Sequence, residues 1–98
     1  MAVLMLMEWS GVTQQQYDSV RRVVDFEGKA PAGGLFHVAA LTPTGLRVVD
    51  LWERAEDFQA FVETRLMPGV RQAGIDAAEP QIQVLPAYNV FTPGYLPK

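Results

Sequence analysis

The sequence predicts an α+β chain of ferredoxin-like type, a βαββαβ order giving a four-stranded antiparallel sheet with both helices on one face. Three observations carry this expectation. Apolar spacing switches between strand-like and helix-like periods four times along the chain, marking six elements. A Thr42-Pro43-Thr44-Gly45 segment separates two apolar runs of nearly equal length. The opening run, Ala2 to Trp9, is apolar on both parities until Glu8, as expected for a central strand covered on both sides.

The first strand is expected over 2–9. Gly11 marks its exit and Thr13 a helix N-cap, with Gln16 three residues on completing a capping box. Tyr17, Val20, Val23 and Val24 then recur at helical spacing, and Gly28 closes a helix expected over 14–27. The Pro- and Gly-rich stretch 29–34 connects it to the hairpin. After the hairpin, Glu56 and Asp57 suit the N-terminal end of a second helix whose buried stripe is Phe58, Phe61, Val62, Met67 and Val70. Pro68 lacks an N–H, so this helix should kink there or restart with Pro68 in a first turn; Gly74 ends it. Gln81 to Leu85 alternates polar with apolar and reads as the last strand, placed at an edge by Pro86. Arg21, Arg22, Arg54, Arg65 and Arg71 fall on the helices among acids such as Asp18, Glu56 and Glu63, and are expected to pair on the helix surfaces.

The 98 residues suit a single domain, with an irregular tail over 92–98. Eleven acidic against eight basic side chains give a net charge of −3 with no basic cluster, which argues against a nucleic-acid partner. The absence of cysteine removes disulfides, thiolate nucleophiles, iron–sulfur clusters and cysteine zinc sites. The N-terminal apolar run has no basic flank and is too short for a signal segment or a membrane span, so a cytoplasmic chain is expected. No phosphate-binding loop, dinucleotide fingerprint or nucleophile elbow is present.

The hairpin holds the chemistry. If Leu41 faces Leu46 across the turn, Ala39 meets Val48, His37 meets Asp50 and Leu35 meets Trp52, all on one face. The other face collects Phe36, Val38, Ala40, Val49 and Leu51, with Arg47 near the turn. That second face reads as ordinary core under the helices, leaving the His37 face open for a symmetric partner to cover. The only histidine thus sits opposite a carboxylate in apolar surroundings: Asp50 can orient His37 and stabilise its charged form, leaving one ring nitrogen to take a substrate proton. A polar pair that fixes strand register or lines a cavity is the structural alternative. Trp52, Trp9, Met5 and Leu35 are candidate walls for a planar ligand. Tyr88 and Asn89, after the last strand, can close such a cavity or turn at the surface. One histidine with one carboxylate falls short of a zinc site.

The element order and the segments around Gly11-Val12-Thr13 to Tyr17, Leu35-Phe36-His37-Val38-Ala39, Gly45 to Glu53, Phe58 to Phe61 and Arg65-Leu66-Met67-Pro68 resemble the dimeric α+β barrel superfamily. Within it, they are most similar to small uncharacterised members of antibiotic-biosynthesis-monooxygenase type. The resemblance covers about residues 2–91 and implies a homodimer with a small-molecule pocket. It also implies cofactor-independent chemistry on an aromatic or polyketide-like compound: oxygenation, cyclisation or isomerisation with His37 as base and Asp50 as its orienter. The superfamily also holds haem-degrading enzymes, in which His37 would be an axial ligand, but their histidine and asparagine pattern is not matched, so no cofactor is expected. It holds proteins without known activity too, so a non-enzymatic binding or interaction module is the second expectation.

Overall fold

The computed structural model of the chain describes residues 1–76 and 79–94. Four strands, β1 (Val3–Ser10), β2 (Gly34–Thr42), β3 (Gly45–Trp52) and β4 (Gln81–Pro86), form one antiparallel sheet in the order β2-β3-β1-β4. Helix α1 (Gln14–Val24) joins β1 to β2. Helix α2 (Ala55–Phe61), a π-helical turn (Val62–Leu66) and helix α3 (Met67–Gln72) join β3 to β4. This is the ferredoxin-like α+β arrangement read from the sequence, with β1 and β3 central.

Local chemistry sets the boundaries. The Thr13 capping box forms: Gln16 N donates to Thr13 Oγ1 at 3.2 Å and Thr13 N donates to Gln16 Oε1 at 2.9 Å. Helix α1 stops at Val24, short of the expected 27, because Asp25 adopts a left-handed conformation (φ 54°) and its N–H returns to Arg21 O. Pro68 lies in the first turn of α3, and the π turn precedes it. Among the described residues Arg65 pairs with no surface acid; its guanidinium donates to Val24 O at 2.9 Å and ties the π turn to the end of α1. Arg21 and Arg54 do pair with acids, Glu27 and Asp57 respectively.

The hairpin register is as predicted over most of its length: Leu41 pairs with Leu46, Ala39 with Val48 and His37 with Asp50. It differs at the far end, where Gly34 rather than Leu35 pairs with Trp52 and a bulge intervenes before Phe36. A Cβ at Gly34 would lie 3.1 Å from Pro31 Cγ and 3.6 Å from Trp52 Cζ3, so the residue beside the indole has little room for a side chain.

The larger correction concerns which face the helices cover. The core unites Met5, Met7, Trp9, Leu46, Val48 and Trp52 from the sheet with Val20, Val24, Phe58 and Val70 from the helices. Met5 pairs with Asp50 and Met7 with Val48, so these residues share the His37 face. The helices therefore lie over His37, and the open face carries Leu4, Leu6, Val38, Ala40, Val49 and Leu85. Physical volume explains the choice: both tryptophans and two methionines point to the covered side, where they bury most apolar area. The open side instead carries the Glu8–Arg47 ion pair together with Gln81 and Gln83.

Candidate functional site

A cavity of about 250 Å³ lies between the sheet and the helices within one chain. Its floor is Met5, Met7, Val48 and Trp52, its roof Val20, Phe58, Phe61 and Leu66, and its rim includes Phe26, Pro31 and Leu35. The polar groups that line it include Tyr17, His37 and Asp50.

Three elements bring these groups together. Strand pairing sets Asp50 directly opposite His37, and the carboxylate Oδ1 lies 2.6 Å from Nδ1. The second carboxylate oxygen accepts the Trp52 indole N–H at 3.1 Å, from the next residue of the same strand face. Helix α1, started by the Thr13 cap, turns Tyr17, Val20 and Val24 toward the sheet, and the Tyr17 hydroxyl reaches His37 Nε2 at 2.7 Å. The result is a continuous chain, Tyr17–His37–Asp50–Trp52. Phe26 meets the imidazole edge-on at 5.0 Å and 61°, holding the ring plane. Trp52 is in turn packed by Phe58 at 5.5 Å and Phe61 at 5.4 Å.

The direction of the hydrogen bonds follows from the inventory of donors. The indole only donates and a carboxylate only accepts, so Asp50 accepts a hydrogen bond on each oxygen. For a neutral imidazole, Nδ1–H then donates to Asp50 and Nε2 accepts from the Tyr17 hydroxyl. Asp50 is buried, its side chain 8% exposed, whereas the His37 side chain is 34% exposed. Burial pushes the Tyr17 phenol above its ordinary range, an effect that nearby Arg21 opposes and Glu27, Asp50 and Asp18 reinforce. Tyr17 is therefore a neutral donor at physiological pH. Among the described residues, no three histidine, cysteine or acidic side chains converge as a metal-ligand group.

Of the candidates named from sequence, His37, Asp50, Trp52, Met5, Trp9 and Leu35 all line this one cavity. Tyr88 and Asn89 follow β4 in an exposed segment and are not among the lining residues. The tail expected over 92–98 is irregular as far as Gly94, and its remainder lies outside the described residues. Sequence reasoning assigned Tyr17 to core packing and missed its role beside His37. The available signal was a phenol heading an apolar helix stripe, since a half-buried tyrosine hydroxyl needs a partner.

No protein-family model matches the sequence, and no curated protein matches it. The fold, however, recurs in solved structures. A protein of unknown function from Nitrosomonas europaea superposes with a TM-score of 0.68 at 15% identity, over 95% of this chain and 94% of that one. SnoaB, a cofactor-independent oxygenase from Streptomyces nogalater, gives 0.62 at 12% identity, over 91% and 94%. A monooxygenase of Streptomyces coelicolor, in complex with the ligand nanaomycin D, gives 0.54 at 16% identity, over 93% and 91%. The chain thus shares the α+β fold of these solved structures.

Proposed function

We propose that this chain is a small-molecule enzyme that removes a proton from an aromatic or polyketide-like substrate without a cofactor, with His37 as general base and Asp50 as its orienter. The observation that carries the reading is the Tyr17–His37–Asp50–Trp52 chain opening into an apolar cavity. Asp50 fixes the imidazole tautomer and stabilises the imidazolium formed when a proton arrives. Trp52 holds Asp50 in place, and Met5, Trp9 and Leu35 shape the apolar walls. Two solved proteins of the same fold are an oxygenase described as cofactor-independent and a monooxygenase, which favours oxygenation over the alternatives. In that version the deprotonated, electron-rich ring reacts directly with dioxygen.

The test is oxygen consumption with a panel of hydroxylated one- and two-ring aromatics, comparing the wild type with His37→Ala. Turnover that vanishes in His37→Ala while the fold persists supports the assignment; equal turnover refutes it. Saturable binding without turnover by either protein would instead favour a ligand-sequestering module.

The same reading includes a homodimer formed through the open sheet face. Val38, 46% exposed, lies there with Leu6, Val49 and Leu85, a contiguous apolar surface that a second copy would bury. Because the residues that line the cavity lie on the opposite side of the sheet within one chain, Val38→Asp should yield a monomer that still binds ligand. A variant that stays dimeric in sedimentation would show that this face is not the interface.

A further inference from the structure

We infer that Tyr17 is a proton relay between substrate and His37, and that the cavity consequently takes a neutral, hydroxyl-bearing aromatic. The inference rests on the reading of His37 as the base.

Both ring nitrogens of His37 are engaged: Nδ1 faces Asp50 Oδ1 at 2.6 Å and Nε2 faces Tyr17 Oη at 2.7 Å. A substrate proton therefore has no vacant nitrogen to reach. The Tyr17 oxygen, while donating to Nε2, keeps lone pairs that can accept a hydrogen bond from a ligand in the cavity it lines. In the transfer, the substrate O–H bond breaks and its proton bonds to Tyr17 Oη as the original Tyr17 proton bonds to Nε2. The products are a substrate oxyanion and an imidazolium paired with Asp50, with no electrons exchanged. Tyr17 ends the step as the same neutral phenol, consistent with a burial that disfavours its ionised form.

Charge and size narrow the ligand. Among the described residues lining the cavity there is no lysine or arginine, while Asp50 is there, so an anion entering it would meet a carboxylate without a compensating cation. An apolar cavity of roughly 150 Å³ accommodates benzene. The present one, at about 250 Å³, has room for a further ring.

The test uses 4-nitrophenol, whose neutral and ionised forms absorb at different wavelengths, near the ordinary imidazole pKa of about 6.5, where most of the free probe is neutral and an ordinary imidazole is still partly uncharged. Bound to the wild type it should show the ionised band, and bound to His37→Ala it should not. Tyr17→Phe, which keeps the ring and removes only the hydroxyl, should retain binding while the ionised fraction falls at least tenfold. A Tyr17→Phe protein that ionises the probe as the wild type does would overturn the relay and leave the base reading standing. An ionised band in His37→Ala would overturn both, and a wild type that leaves the bound probe neutral would overturn the relay. A variant-free arm compares 4-nitrophenol with 4-nitroanisole, in which a methyl group replaces the proton. Preference for the phenol supports a hydroxyl donated to Tyr17, and equal affinity contradicts it.

Discussion

Asp50→Asn separates the catalytic from the structural role of the carboxylate, because an amide can satisfy the site only if the two hydrogen bonds of His37 reverse direction while that from Trp52 does not. The Trp52 indole N–H lies 3.1 Å from Asp50 Oδ2 and can only donate, so the asparagine carbonyl must take that side. The amide NH₂ then points at Nδ1, 2.6 Å away in the wild type, and forces the proton to Nε2. Nε2–H donates to Tyr17 Oη, and the lone pair that would receive a substrate proton is gone. Two charge-assisted bonds become neutral ones, a loss of about 1 kcal/mol each. Release of a buried carboxylate from its desolvation penalty, several kcal/mol in typical interiors, works the other way. The net stability change should stay within about 2 kcal/mol, roughly 8–16 °C in melting temperature for a domain of this size. Proton transfer should nevertheless fall by about 10²–10⁴-fold, the usual worth of a positioned general base. Because His37 is the only histidine, ¹⁵N-histidine labelling reports its two nitrogens without overlap. The expected result is a folded Asp50→Asn protein with the Nε2–H tautomer and no ionisation of bound 4-nitrophenol. Retention of the Nδ1–H tautomer with undiminished ionisation would refute the hydrogen-bond reasoning, and failure to fold would make Asp50 a structural residue first.

Two further predictions concern packing and pH. A Cβ at Gly69 would lie 2.4 Å from Val24 Cγ2 in the buried contact between α1 and α3. Gly69→Ala should therefore cost about 1–3 kcal/mol of overpacking, less up to about 1 kcal/mol regained in helix propensity, read as a lower urea midpoint; an unchanged midpoint would mean the helices can separate freely. Since the folded state raises the Tyr17 pKa, its contribution to stability is complete below the ordinary tyrosine value of about 10 and is lost as pH rises through the higher folded value. Melting temperature should accordingly fall more steeply in the wild type than in Tyr17→Phe above about pH 10, and parallel profiles would contradict it.

Much of this architecture was legible because local signals agreed with one another. The Thr13–Gln16 box started α1, Thr42 to Gly45 set the hairpin register, and that register placed His37 against Asp50. The covered face was not legible from the hairpin, since both of its faces are apolar and alternation alone assigns sides without saying which is inside. The deciding residues lay elsewhere: Glu8 in β1 and Gln81 and Gln83 in β4 mark the exposed side. Tyr17 followed from the same error, because a helix assigned to the opposite face cannot reach His37. The bulge at Leu35 depends on contacts among Gly34, Pro31 and Trp52 that no period of two encodes. Arg65 was likewise unreadable, because its partner, Val24 O, is 41 residues away in sequence and is a backbone atom.

The proposed chemistry has His37, in a cavity lined by one chain, take the proton of a bound hydroxyl. Its most direct test is the ¹⁵N spectrum of His37 in the wild-type protein as 4-nitrophenol is added. Nε2 is predicted to change from an acceptor nitrogen to a protonated one in step with site occupancy, while Nδ1 remains protonated against Asp50. Occupancy of the cavity with both nitrogens unchanged would contradict the account.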